Sequence, residues 1–470
     1  MGTIVGVLPG VGPTATMTLM LPFTFMYGPS IGLITLTGVL CGAMYGGSTT
    51  SILVNIPGEA ASVVTCIDGY QMAKKGRGGA ALALVAVGSF LAATLGIFGL
   101  QLFGPMLGRA ALAFGPPEYF SFMILAFLLL SALTGGSMIK SFVMMAIGFW
   151  LSSIGVCPLD NASRFTFGLN DLMLGVEFVP VAVGLFGITE LFSIVIEKYV
   201  PPKVSKIRLR ELYPQKAEIR RAVFPSIRGS ILGFFVGLLP GPSAVVSSFL
   251  SYSIEKRISK HPEEFGKGAV EGLVGPESAN NSAAIGTFIP LLTLGIPFAP
   301  SSAVLLAGLL THNVEPGPLL FQNSPEIFWS LIAALYVGNI MLLLLNLPLV
   351  GVFARLAAIK PKYLMPFIAI VCILGVYSVR NSFFDVWVMF TAGIMGLVFR
   401  GLKYPIPPLI IGLILGPMTE NSLRKTLLMF RGNLSLFLSR PIAMTFFALV
   451  FGVILFKILY PRVVKKPVSV

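Results

Sequence analysis

Apolar runs, many of 18 residues or more, recur along the whole chain, separated by short basic clusters and two longer polar stretches. Runs of that length are read as membrane-spanning helices. The first covers 14–45, interrupted by Pro22 and Gly28-Pro29. Others lie near 79–113, 119–134, 137–156 and 172–197, then 229–252, 303–320, 328–354, 364–379, 384–400, 405–417 and 441–460. The pattern predicts an all-α polytopic membrane protein with about 10–12 transmembrane helices.

The two polar stretches break this pattern. Tyr45–Asp68 reads YGGSTTSILVNIPGEAASVVTCID, and residues 275–302 read GPESANNSAAIGTFIPLLTLGIPFAPSS. Both are rich in Gly, Pro, Ser, Thr and Asn, which a lipid-facing helix does not carry. Free backbone groups are tolerated at membrane depth only where protein or a wet cavity surrounds them. Each stretch is expected to form two short helices meeting at an unwound polar loop, a broken-helix hairpin. The competing reading is an ordinary loop outside the membrane.

The hairpins belong to a duplication. Val5–Gly10 and Val236–Gly241 share the pattern V-G-(V/L)-L-P-G, offset by 231 residues (236 minus 5). Val54–Gly58 (VNIPG) parallels Leu294–Phe298 (LGIPF), offset by 240 (297 minus 57). Two ordered matches at similar offset indicate an internal repeat, and paired helix breaks are the mark of inverted transporter repeats. The expected organisation is repeat 1 over 1–197, a basic linker over 198–228, and repeat 2 over 229–470 with C-terminal helices and a basic tail. The linker holds Lys198, Lys203, Lys206, Arg208, Arg210, Lys216, Arg220, Arg221 and Arg228. By the positive-inside rule, the linker and the C-terminus face the cytoplasm. An anionic-lipid patch would occupy the same place.

Composition narrows the function. Of the 470 residues, 55% are hydrophobic and only 11% charged, with mean hydropathy +0.89. The net charge of +14 does not point to nucleic acid, because the basic residues lie in short clusters between apolar runs. Four scattered cysteines offer neither metal spacing nor a disulfide framework. His261 and His312 are the only histidines and no Gly-x-Ser-x-Gly element occurs, so an enzyme has little to work with. Without a Walker A motif, ATP-driven pumping is disfavoured. No cleavable signal peptide is seen, and the apolar segment before Pro9 is too short to span a bilayer, so a first helix is expected to be missing or atypical.

The polar stretches supply the candidate chemistry. Helix ends at a break present free N–H groups and a positive dipole end, which suit a carboxylate. The expected substrate-binding residues are Gly47, Ser48, Thr49, Thr50, Ser51, Asn55, Pro57 and Gly58, with Glu277, Ser278, Asn280, Asn281, Ser282 and Pro297. Oxygens of Ser48, Asn55, Asn281 and Thr293, with unwound carbonyls, suit a hard cation such as sodium. Neither stretch contains Lys or Arg, so backbone and hydroxyl donors would do most of the anion binding. Alternatively, small polar residues only let helices approach closely. Carboxylates inside a membrane are costly and usually functional, which singles out Glu190 and Glu277. Glu59 and Asp68 are expected at the membrane surface, and Asp160, Arg164 and Asp171 in a solvated pairing.

Several motifs occur together: the Gly6–Gly10 element with its PG repeat, YGGSTTSILVNIPG followed by DGYQMAKKG, and RFTFG at Arg164–Gly168. With them stand GLFGITELF, GPESANNSAAIGTFIPLLTLGIP and the late FDVWVM and YPIPPLIIGLILGPMTE. Together they resemble the large membrane subunit of the tripartite tricarboxylate transporters, the TctA family, over nearly the whole chain. The resemblance implies import of citrate and other carboxylates across the bacterial inner membrane, driven by a sodium or proton gradient and without another cofactor. It also implies two partners, a small four-helix membrane subunit and a periplasmic solute-binding protein. The chain departs from the family at its N-terminus and at Phe298, where Gly is usual, a change expected to reshape the second hairpin. The rival is an anion channel, or another carrier without a binding protein. Channel filters are rings from several subunits or repeats, whereas these unlike polar stretches occur once each.

Overall fold

In the computed structural model, the described residues are 2–7, 12–24, 26–55, 57–133, 137–157, 161–196, 212–356 and 361–463. Helix dominates them, as it must where backbone groups have no water to bond. Among the described residues the only strands are the two-residue pair β1 (Gly155–Val156) and β2 (Ser163–Arg164). In chain order, the first helices are α1 (Gly2–Gly6), α2 (Pro13–Thr24), α3 (Pro29–Val54), α4 (Val63–Met72) and α5 (Gly78–Ala111). Next come α6 (Pro116–Leu133), α7 (Met138–Ser152), α8 (Asn170–Met173), α9 (Phe178–Ala182) and α10 (Thr189–Ile196). The second half holds α11 (Lys216–Gly237), α12 (Ser243–Ile258), α13 (Val270–Gly286), α14 (Phe288–Leu294), α15 (Pro300–Thr311) and α16 (Leu320–Asn323). It ends with α17 (Pro325–Leu356), α18 (Pro361–Arg380), α19 (Phe383–Gly401), α20 (Pro407–Met429) and α21 (Pro441–Val463).

Among the described residues, four helical segments are long and apolar enough to cross a membrane: Pro29–Val54, Val63–Ala111, Pro325–Leu349 and Phe383–Gly401. Shorter apolar helices include Pro116–Ser131, Met138–Ser152, Phe178–Ser193, Pro300–Thr311, Ile368–Arg380 and Pro441–Leu455. The protein is therefore an all-α polytopic membrane protein.

Two compact units emerge, and they do not follow the sequence halves. One comprises Met1–Ala110 and Glu177–Lys403; the other comprises Ala111–Val176 and Tyr404–Val470. The basic stretch 198–228 is also only partly a connector. Residues 197–211 lie outside the described residues, but Lys216–Arg228 form the first turns of α11.

Glycines decide how helices meet in the first unit. Built on Gly229, Gly233 and Gly237 of α11, a methyl group would overlap the carbonyls of Gly275, Ala279 and Ala283 on α13. Small residues at this four-residue spacing let two membrane helices approach at backbone distance. The same device joins α1 to α3, where Gly2 and Gly6 rest on the carbonyls of Val39 and Ala43. Gly233 and Gly237 lie 231 residues after Gly2 and Gly6, and Ala279 and Ala283 lie 240 after Val39 and Ala43. These are the two offsets of the sequence matches. Leu8, Pro9 and Gly10 of the first V-G-x-L-P-G copy lie outside the described residues; in the second copy the Gly241 N–H donates to the Phe298 carbonyl (2.9 Å).

Candidate functional site

The helix breaks sit later than the polar residues suggest. Gly47, Ser48, Thr49, Thr50 and Ser51 are all helical within α3, which ends at Val54. Asn55 caps it in the left-handed region (φ 59°), the break runs over 55–62, and α4 follows. In the second half Glu277–Ser282 lie within α13; the chain breaks after Gly286 and again at Gly295, also left-handed (φ 70°). Ile-Pro follows the left-handed residue in both cases. Thr50 and Ser51 donate to the Gly47 carbonyl (3.0 and 2.9 Å), so their hydroxyls are satisfied on their own helix and need no unwound loop.

One face of α13 is occupied by α11, where Ser226 and Ser278 hydroxyls meet at 2.8 Å. Ser278 therefore serves helix packing. Glu277 and Asn281, one turn apart, project toward α3, α4 and α5. The Glu277 carboxylate accepts a hydrogen bond from Ser48 on α3 and another from Thr65 on α4 (2.5 Å). The Asn281 amide donates to the Glu277 carbonyl (2.9 Å), to Asn280 Oδ1 (2.8 Å) and to Ser89 on α5 (3.0 Å). Glu277 is 1% exposed, and no Lys, Arg or His is among these partners. A cavity of about 320 Å³ reaches this centre, lined in part by Cys41, Tyr45, Asn281 and Asn339.

Asp68 is fully buried within the protein, at the end where α4 meets the start of α13. Its Oδ1 accepts from the N–H groups of Gly266, Gly268 and Ala269 (2.9, 2.7 and 2.8 Å), and its Oδ2 from the Tyr252 hydroxyl (3.0 Å). It thus fastens α4 to the start of α13. Replacing Asp68 with Ala leaves the buried Ala269 N–H without its acceptor, at a cost of about 1–3 kcal/mol, and removes the acceptor of the less enclosed Gly266 and Gly268 N–H groups as well. A clear fall in thermal midpoint in detergent is expected for Asp68→Ala; an unchanged midpoint refutes the anchoring role.

Ion pairs gather at the same end. Arg77 pairs with Glu218, Arg221 with Glu264 (2.5 Å) and Glu271 (2.7 Å), and Arg228 with Glu255 (2.5 Å). The hydrogen bond from Arg221 holds the Glu264 carboxyl below the usual range.

Other expectations move. Glu59 is half-buried in the α3–α4 turn, with Oε1 enclosed and lacking a hydrogen-bond partner. Glu190 joins Arg400 (3.0 Å), away from Glu277. Arg164 pairs with Glu420 (2.9 Å), while Asp171 is exposed and Asp160 lies outside the described residues. Thr293 donates to the Ile289 carbonyl within α14 (2.7 Å). Asn55 is exposed; Thr49, Gly58, Asn280, Ser282 and Pro297 are buried, and Pro57 is half-buried. Sequence reasoning left Thr65, Ser89 and Tyr252 out of the site. The bonds that draw them in join residues 184–212 positions apart, a separation no local pattern signals.

A polytopic helical chain with polar groups buried where two interrupted helices meet has the build of a membrane carrier. Residues 1–411 match the family described as the tripartite tricarboxylate transporter TctA family, and the chain belongs to it. It is a component of a tripartite tricarboxylate transporter. It is similar to the "Uncharacterized 52.8 kDa protein in TAR-I ttuC' 3'region" of Agrobacterium vitis, 45% identical over 448 residues, covering 95% of this chain and 89% of the relative. It also resembles the "Uncharacterized protein in TAR-II ttuC' 3'region" of the same organism, 44% identical over 211 residues, covering 45% of this chain and 87% of the relative. No solved structure matches.

Proposed function

We propose that this chain is the permease of an ion-coupled system that imports di- and tricarboxylates, citrate-like anions, across the bacterial inner membrane. It works with a small four-helix membrane subunit and a periplasmic solute-binding protein. The observation that carries the reading is the junction of Glu277 with Ser48 and Thr65, which ties the two interrupted helices together in the interior of the unit. The anion is received by N–H groups and hydroxyls around the breaks at Asn55–Ser62 and Gly295–Ala299. A sodium ion or proton is taken up beside it, with Ser48 and Asn281, the two expected donors that lie at the Glu277 centre, among its oxygen donors.

The halves act as inverted repeats. Repetition of the α1–α3 glycine contacts in α11–α13, at both sequence offsets, supports the duplication. Inversion is supported by how the helices end. α3 begins beside the end of α15, where a methyl on Gly32 would stand 3.0 Å from His312 Nε2. α13 begins beside the end of α4, through Asp68 and the bond from Lys75 to the Lys267 carbonyl (2.6 Å). The basic residues at this second end support a cytoplasmic location for it by the positive-inside rule.

Uptake of a carboxylate panel by the reconstituted three-part system, with and without a sodium or proton gradient, tests the reading. Saturable, gradient-driven uptake that needs the binding protein is expected. Non-saturating flux independent of the binding protein establishes the channel instead.

A further inference from the structure

Glu277 is a poor ligand for the substrate. A second carboxylate brought to it would be repelled, and the groups already around it carry no positive charge. Ser48 faces it from α3, Thr65 from α4, and Asn280 and Asn281 from α13, with Tyr45, Cys66 and Glu59 within electrostatic reach. All are neutral or acidic. Hydroxyl and amide dipoles alone compensate a buried charge only in part.

Two further observations point to something that is to be bound. Glu59 lies within electrostatic reach of Glu277, and its enclosed Oε1 has no hydrogen-bond partner. Two carboxylates sharing one buried site do not both stay ionised without a cation between them. Asn280, 0% exposed and one turn from Glu277, also leaves its Nδ2 without a partner, so the polar centre is incomplete as it stands.

We propose that Glu277 is the charged member of a cation site, with the Ser48 and Thr65 hydroxyls as neutral oxygens and Glu59 closing it, and that the site takes one monovalent cation, a proton or a sodium ion. The proposal rests on the transport reading above and gives it an order of events. The cation neutralises Glu277 first, and only then is a carboxylate anion tolerated nearby. Coupling follows from charge, because the anion pays for an empty cation site in repulsion.

The test uses the purified full-length chain in lipid nanodiscs, without partners or carboxylate, and two probes: radiolabelled sodium, and the infrared carboxyl band followed against pH. If sodium is the ion, binding is saturable, is competed by acid, and weakens about 10–100-fold or more in Glu277→Gln. Thr65→Val weakens it too, while Thr65→Ser restores it. If a proton is the ion, sodium does not bind, and a protonated-carboxyl band persists to unusually high pH and is missing from Glu277→Gln. Gln matches Glu in size, and an unchanged elution profile and helix content show that the variant is folded. Should Glu277→Gln misfold, the Thr65→Val and Thr65→Ser pair decides by the same two probes. Sodium binding or a carboxyl band indifferent to these substitutions, or the absence of both in the parent chain, overturns the proposal. Because no substrate is present, that outcome is separate from failure of carboxylate uptake in the three-part system.

Discussion

Asn281→Ala is expected to cut carboxylate uptake by roughly 5- to 150-fold at near-normal membrane abundance, the range that matches about 1–3 kcal/mol for an unpaired buried polar group. The amide bridges α13 to Ser89 on α5 and orients Asn280, one residue from the cavity wall it shares with Tyr45 and Asn339. Its removal strips the polar centre and the bond to α5 but leaves the α11–α13 contact in place, because α11 packs on another face of α13. Where sodium is the coupling ion, the variant also needs more sodium for half-maximal uptake. Asn55→Ala is expected to impair uptake as well, but there the backbone contributes, since Asn55 sits at φ 59°. Alanine is disfavoured in that region and glycine is not. Asn55→Gly therefore keeps the turn while deleting the amide. Full uptake by Asn55→Gly reduces Asn55 to a turn former. Full uptake by Asn281→Ala with unaltered sodium dependence removes that residue from the site, and loss of either protein from the membrane indicates packing instead.

Gly233→Leu is expected to abolish the folded protein. A side chain there meets the Ala279 backbone, which has no rotamer to change, so α11 must leave α13. Overpacking costs about 1–3 kcal/mol even where side chains can yield. Here the separation also breaks the Ser226–Ser278 bond and shifts the helix that carries Glu277. Gly2→Leu, the counterpart against Val39, should act in the same direction. Gly452→Ala, with nothing within 4 Å, is the control and leaves stability unchanged or slightly raised. Size-exclusion profiles and thermal midpoints of the three variants read the effect. A monodisperse Gly233→Leu protein with an unshifted midpoint contradicts the backbone-contact account.

What the amino-acid order determined by itself was the class of the molecule and where its exceptions lie. Long apolar runs exclude anything but helices in a bilayer, and Ser, Thr, Asn and Gly in the midst of them single out α3 and α13. The repeated V-G-x-L-P-G element contains Gly6 and Gly237, each of which meets the backbone of its partner helix. These signals are local, so a linear reading reaches them. The ends of helices were less legible: the polar stretch from Tyr45 read as two short helices around an unwound loop, yet the hydroxyls of Thr50 and Ser51 bond back to their own helix and α3 runs on to Val54. Tertiary structure alone decided which polar residues work together. Ser48, Thr65 and Glu277 form one group, Ser278 turns to α11, Glu190 goes to Arg400, and Asp68 becomes an enclosed anchor. The physical reason is that a buried charge or hydroxyl must find its partner wherever the fold brings one, and here the partners lie up to 229 residues away.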